Sequence, residues 1–213
     1  MKFDLYISII SPENYNYLQN YIKNFSKANN FEILIVKNKG RDILPFLNQI
    51  KTKFRNYKYL CHIHSKKSKH SPKKGKSWRN YLYNNLLGNT NIVSEILSDF
   101  EANNKLGFIF PETYYKIIKF FFLLHKETKS WMDFLASKLF KNCKLGEFLD
   151  FPAGNMFWSK TGAIYQIFIN DMQKYFPIEH NQIKNTIMHG IERIWLYLVK
   201  YNHYKYKIIF KSF

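Results

Sequence analysis

The stretch Phe31-Glu32-Ile33-Leu34-Ile35-Val36-Lys37-Asn38-Lys39-Gly40-Arg41-Asp42 carries the fold decision. Its first six residues are nearly all apolar and rich in β-branched types, the pattern of a strand. Unbroken apolarity, rather than alternation, suits a strand covered on both faces, as in a parallel sheet. The run then breaks into a polar, glycine-bearing loop, and Pro45 to Ile50 opens a helix. Upstream, Phe3 to Ile10 reads as a strand, and Ser11-Pro12-Glu13 as a turn into a helix that reaches about Ser26. Tyr17, Leu18, Tyr21, Ile22 and Phe25 share one face of that helix. Downstream, Lys58 to Ile63 reads as a third strand. A β-helix-β-helix-β order predicts the α/β class, with a mostly parallel sheet flanked by helices.

Further along, helices are predicted over Trp78 to Leu87, Asn91 to Phe100 and Gly162 to Phe168. Thr186 to Lys200 forms another, with Ile187, Ile191, Ile194 and Leu198 as its apolar stripe. Leu106 to Pro111 reads as a short strand. Tyr114 to Leu139 is aromatic and basic, in helical pieces. Tyr204 to Phe213 is a strand or extension. No repeat and no linker divides the 213 residues, so the expectation is one domain, with 1–110 and 111–213 as its halves.

Hydrophobic residues make up 46% of the chain, enough to build a core and to exclude wholesale disorder. Lys and Arg number 33 against 15 Asp and Glu, a net charge of +18. That imbalance favours anionic partners: nucleic acid, acidic lipid headgroups or a phosphorylated substrate. Cys61 and Cys143 are too few for a disulfide framework or a cysteine metal cluster. Phe3-Asp4-Leu5-Tyr6 resembles no secretory signal. The most apolar run, Ile117 to Leu124, is far short of the ~20 residues that span a bilayer. The expectation is a cytoplasmic protein with a basic surface able to meet the inner face of the cell membrane.

Asn38-Lys39-Gly40-Arg41-Asp42 follows a strand end, where α/β sheets place ligands. Arg41 offers a rigid fork for phosphate or carboxylate, and Asp42 can accept from a sugar hydroxyl or hold Arg41. A tight turn with a local ion pair is the plainer alternative. His62-Ile63-His64-Ser65-Lys66-Lys67-Ser68 follows the third strand. His62 and His64 alternate, so a strand would aim both one way. No acid or cysteine beside them completes a metal set, and Lys66 and Lys67 suit anionic oxygens better. Lys66 to Arg79, with Trp78, suits a phosphate-bearing partner or simply a solvated basic loop. In Phe151 to Trp158, Gly154 permits close approach, Asn155 can bind hydroxyls, and Phe157 and Trp158 either stack on a sugar or fill the core. His189, Glu192 and Arg193 sit three and four apart on one helix face, as an ion-pair network or as part of a site. Glu179, after Phe176-Pro177, is one of few acids available as a general base.

Taken together and in order, five segments resemble the rhamnan synthesis protein F family of bacterial glycosyltransferases. They are Asn38 to Leu47, His64-Ser65-Lys66-Lys67-Ser68, Trp78-Arg79, Phe151 to Trp158, and His189-Gly190-Ile191-Glu192-Arg193. The resemblance runs from Phe3 to about Trp195. It implies a GT-A-like fold and transfer of a sugar from a nucleotide diphosphate donor, dTDP-L-rhamnose being the usual case, to a glycan or lipid-linked glycan. It implies a donor-side first half and an acceptor side from Phe151 onward. Members often carry a further strand before the one at Phe3 to Ile10, which would make this chain a trimmed form.

On that resemblance Asn38, Gly40, Arg41, His64, Lys66, Lys67, Arg79 and Arg193 are expected at the donor. Gly154, Asn155, Phe157 and Trp158 are expected at the acceptor. His189 and Glu192 brace the site, and Asp42 holds a donor hydroxyl. No Asp-x-Asp motif follows the third strand, so lysines and arginines rather than a divalent metal are expected to neutralise the leaving diphosphate. Lys184 stands where the family often has an acid, which moves the expected base to Glu179, with Asp42 and His189 as other candidates. No cofactor and no specific nucleic acid are expected. The alternative is a non-catalytic basic module that binds nucleic acid or phosphate, or a membrane-peripheral component of polysaccharide assembly.

Overall fold

The computed structural model describes residues 2–65, 72–140, 145, 150–178 and 185–210. Strand β1 (Asp4–Ile9), helix α1 (Tyr15–Phe25), strand β2 (Asn30–Ile35) and helix α2 (Ile43–Ile50) come first. Strand β3 (Tyr59–His62) leads to helices α3 (Pro72–Leu87) and α4 (Thr90–Ala102), then strand β4 (Leu106–Pro111). Helix α5 (Ile118–Leu139), strand β5 (Phe157–Lys160) and the short helices α6 (Thr161–Ile164) and α7 (Gln166–Ile169) follow. Helix α8 (Ile187–Tyr201) and strand β6 (Lys205–Ile209) close the fold.

The chain is α/β, but its sheets are small and mixed. β1 and β2 pair in parallel as a two-stranded sheet, and the other four strands run in the order β3-β5-β4-β6. In the second sheet β5 is antiparallel to both β3 and β4, while β4 and β6 are parallel. The expected mostly parallel sheet is therefore corrected. The reason lies in β5. It comes back from α5 and slots between β3 and β4, and a strand inserted from that side runs against both neighbours.

The layers follow from the side-chain period of two. Phe157 joins a core with α2, α5 and α8, whereas its neighbour Trp158 joins one with α3 and α4. Phe108 and Phe110 on β4 likewise face the first core and Ile109 the second. Every residue of β4 is buried. It is thus β4, not β2, that is covered on both faces. β2 leaves Leu34 and Ile35 exposed and has only β1 as a described strand partner, so the double burial expected of Phe31 to Val36 is not found.

α8 is the central pillar. Its predicted stripe of Ile187, Ile191, Ile194 and Leu198 is fully buried, and Trp195, Leu196 and Val199 are buried beside it. A helix apolar on so many sides must be surrounded. Gly190 sets the approach to α5: a Cβ there would lie 2.8 Å from the Trp131 Cβ and 3.0 Å from Leu135 Cδ1. The glycine weakens the helix by about 1 kcal/mol but admits this contact. Thr186 caps the helix by accepting from the His189 amide, which directs the first turn of α8 toward the loop after β2. Among the described residues, no helix is long and apolar enough to cross a membrane.

Candidate functional site

The antiparallel pairing of β3 with β5 builds the site. Because His62 pairs with Phe157, the amino end of β5 lies at the carboxyl end of β3. A parallel β5 would have sent the preceding loop to the opposite end. Instead Ala153-Gly154-Asn155 stands over His62 and His64, close to the loop that follows β2.

Both loops hold consecutive left-handed residues. Gly40 and Arg41 have φ of 66° and 52°, and Gly154 and Asn155 have φ of 96° and 55°. Gly40 is dictated twice over, since a Cβ would lie 2.4 Å from the Leu44 Cβ and 2.6 Å from the Phe176 ring. Non-glycine residues in this region carry a cost of about 1–3 kcal/mol and persist where surrounding contacts impose them. Here those contacts are visible. The Asn155 amide donates to Asp42 Oδ2 at 2.6 Å, and its oxygen accepts from the Trp195 indole at 2.7 Å. The Gly154 amide donates to Glu192 Oε1 at 2.7 Å, and the Gly154 carbonyl accepts from His64 Nε2 at 2.8 Å. One short loop is thereby held by β3, α8 and the loop that opens α2.

Asp42 precedes α2 at the position where an aspartate usually caps a helix, yet its side chain makes no capping bond. The carboxylate serves Asn155 and lies 3.7 Å from His64 Nε2. A carbonyl can only accept, so His64 Nε2 carries hydrogen. Tyr83 donates to the His64 carbonyl at 2.8 Å, and Arg79 donates to the Ser65 carbonyl at 3.1 Å, which ties α3 to this corner.

His189 contributes from α8. Its Nδ1 is 2.8 Å from Thr186 Oγ1, and its Nε2 is 3.5 Å from an Arg41 guanidinium nitrogen. A guanidinium only donates, so Nε2 accepts and Nδ1–H donates to the threonine. Glu192 turns to Gly154. Arg193 is 2% exposed, with NH1 donating to the His189 carbonyl at 2.9 Å and lying 3.4 Å from Glu192. Its guanidinium lies over the Phe151 ring at 4.4 Å. Burial holds this guanidinium below its ordinary value, opposed by the Glu192 charge. Burial likewise pushes the His62 imidazole down to about 4, against the charge of Asp42. His62 is stacked on Phe46 at 4.3 Å between ring centres, and its Nδ1 has no hydrogen-bond partner among the described residues.

The structure therefore brings together Arg41, Asp42, His64, Arg79, Gly154, Asn155, His189, Glu192 and Arg193. Asn38 is exposed on the same loop as Arg41. Phe157 and Trp158 do not reach the opening. Phe157 packs against Phe108 and Trp195 at 4.5 and 5.1 Å, and Trp158 donates to the Leu86 carbonyl at 3.0 Å. Core packing accounts for both, and burial keeps both rings from stacking on an acceptor. Asn155 is also buried, with both ends of its amide engaged inside the protein. Lys66, Lys67, Glu179 and Lys184 lie outside the described residues. Ile178, next to Glu179, bridges to Lys39 in the loop after β2.

Three contributors are not among the site residues expected from the sequence. Trp195 falls on the buried stripe of α8, where its indole nitrogen gives no pattern of its own. Tyr83 is one of 16 tyrosines. Thr186 has a legible signal, a threonine directly ahead of a strong helix, and reading it as a cap would have aimed His189.

No solved structure matches this chain. The uncharacterized protein WxcX from each of two strains of Xanthomonas campestris pv. campestris is 29% identical over 159 residues, covering 74% of this chain. That match covers 22% of each relative, so the chain spans about a fifth of the length of the curated relatives it matches. A family profile, rhamnan synthesis protein F, matches residues 1–204. The loops and helix that meet at the site all fall inside that match, and this chain belongs to the rhamnan synthesis protein F family.

Proposed function

We propose that the chain is a GT-A-like glycosyltransferase domain of polysaccharide synthesis that moves a sugar from a nucleoside diphosphate to a glycan or lipid-linked glycan. One observation carries the reading: motifs from four separate parts of the chain meet at one end of the sheets, where Arg41 contacts His189, Asp42 lies beside His64, and Arg79 holds the Ser65 carbonyl. Family membership supports the polysaccharide context. dTDP-L-rhamnose is the donor we favour.

In this mechanism Arg41 and Arg79, with Lys66 and Lys67, neutralise the diphosphate without a metal. The acceptor hydroxyl gives its proton to a base, its oxygen bonds to the anomeric carbon, and the bond from that carbon to the phosphate oxygen breaks. The electron pair leaves on the nucleoside diphosphate. Glu179 is our choice of base for an inverting transfer. Asp42 orients His64 and accepts from a donor hydroxyl. His189 steadies Arg41, and Glu192 fixes the Gly154 loop behind the sugar.

The test is calorimetric binding and turnover across a panel of nucleotide sugars, with and without EDTA, beside single-stranded DNA. We expect saturable binding of one nucleotide sugar that EDTA does not change. Arg41→Ala should weaken it by about tenfold or more, the value of a lost charge-assisted contact. Glu179→Gln should retain donor binding and lose turnover. Salt-sensitive DNA binding with no response to any nucleotide sugar would replace this reading with a non-catalytic basic module.

A further inference from the structure

The outer face of α1 is unusual for a small helix. Tyr17, Tyr21 and Phe25 are 67%, 52% and 71% exposed. They are spaced by four, so they form one row along the axis. Their rings touch one another rather than the core, with centres 6.1 Å apart for Tyr17 and Tyr21 and 4.9 Å apart for Tyr21 and Phe25. Ile22 is the only residue of α1 that is buried.

The area argues against a protein partner. Aromatic side chains offer ~150–250 Å² each, so at these exposures the row presents roughly 300–450 Å². A stable protein interface buries about 800 Å² on each side. A row of rings does suit the headgroup boundary of a bilayer, where tyrosines concentrate and an amphipathic helix lies flat. The charge agrees. α1 contains no acid, and Lys23 and Lys27 are exposed in and just beyond it. Of the three acids in residues 2–39, Asp4 accepts from Tyr57 and Asn30, Glu32 is paired with Lys53, and Glu13 is exposed in the turn just before α1, so the two lysines leave the helix region with a net positive charge. The whole chain carries +18.

We infer that α1 is a membrane-docking helix, seating Tyr17, Tyr21 and Phe25 in the interface of an anionic bilayer with lysines contacting the headgroups. This does not depend on the glycosyltransferase reading. It assigns membrane contact to the amino-terminal helix.

The experiment is co-sedimentation of the full chain with phosphatidylcholine vesicles and with mixed phosphatidylcholine–phosphatidylglycerol vesicles. Binding is expected to the mixed vesicles and to be weaker at high salt. The combined variant Tyr17→Ser, Tyr21→Ser, Phe25→Ser removes exposed rings only, and its partitioning should fall about tenfold or more. A control variant, Lys73→Gln, Lys74→Gln, Lys76→Gln on α3, should lose less. A separate Tyr21→Trp variant should be quenched by brominated lipids beyond the wild-type level. Unchanged partitioning of the serine variant, or no added quenching at Tyr21→Trp, would overturn the inference. A dimer in ultracentrifugation that the serine variant abolishes, with no vesicle binding, would overturn it in favour of a second copy of the chain.

Discussion

In α1 and β2 the large apolar side chains face solvent, with Phe25 at 71% and Ile35 at 50% exposed, whereas Ile187, Ile191, Trp195 and Leu198 of α8 are all at 0%. Both α1 and α8 carry a strongly apolar face, and α8 is the more apolar of the two overall. The number of layers around them differs as well. α8 lies between α5 and the four-stranded sheet. β2 belongs to a sheet that has two strands among the described residues, and α1 packs beside it. Burial is thus set by neighbours, and hydrophobicity only makes it favourable. The site lies where the regions meet, so α8 supplies a rigid wall and the loop after β2 is pinned against it.

The largest effect should come from the rigid side. Trp195→Ala removes a fully buried ring and the donor that holds Asn155, and should lower unfolding free energy by about 3–5 kcal/mol in a urea titration. A loss below 1 kcal/mol would show that α8 is not the pillar.

pH should sharpen the same contrast. The His62 imidazole is held down to about 4 in the fold, below the ~6.5 of an unfolded chain. The unfolded state therefore takes up a proton first. Stability is full above pH ~6.5, falls as pH drops toward 4, and loses up to about 3 kcal/mol from this group. His62→Gln should flatten that slope, as measured by denaturant unfolding at stepped pH.

Asn155→Ala comes next. It strands the Trp195 indole, removes one donor to Asp42 and places alanine at a φ of 55°. We expect a loss of about 1–3 kcal/mol, together with weaker ligand binding at the loop after β2. If only stability changes, the two loops are not coupled. The smallest effect belongs to the open side: Tyr21→Ser should shift stability by no more than about 0.5 kcal/mol. A larger loss would mean that the row on α1 supports the fold.

The element order was largely legible. Leu106 to Pro111 matches β4 residue for residue, and the stripe predicted for Thr186 to Lys200 is the buried face of α8. Local period and turn chemistry carry that information. The region Tyr114 to Leu139 was less legible, because its aromatic and basic residues mask a single helix from Ile118 to Leu139. At the site, Arg41, Asp42, His64, His189, Glu192 and Arg193 were marked by charge and spacing, and Gly154 and Asn155 by residue type. How they pair was not, because Gly154, Asn155 and Trp195 act on them through backbone groups and buried amide and indole atoms that have no sequence period.

By itself the sequence determined the α/β class, most of the helices and strands, the basic character and the charged residue types that meet at the site. These depend on local propensity, periodicity and net charge, all of which are additive along a chain. The tertiary structure alone decided that β5 runs antiparallel between β3 and β4, that β4 rather than β2 is covered on both faces, and that Asn155 joins Asp42 to Trp195. Those outcomes depend on which distant segments pack side by side, and a pairwise contact between residues 40 to 113 positions apart leaves no trace in local pattern.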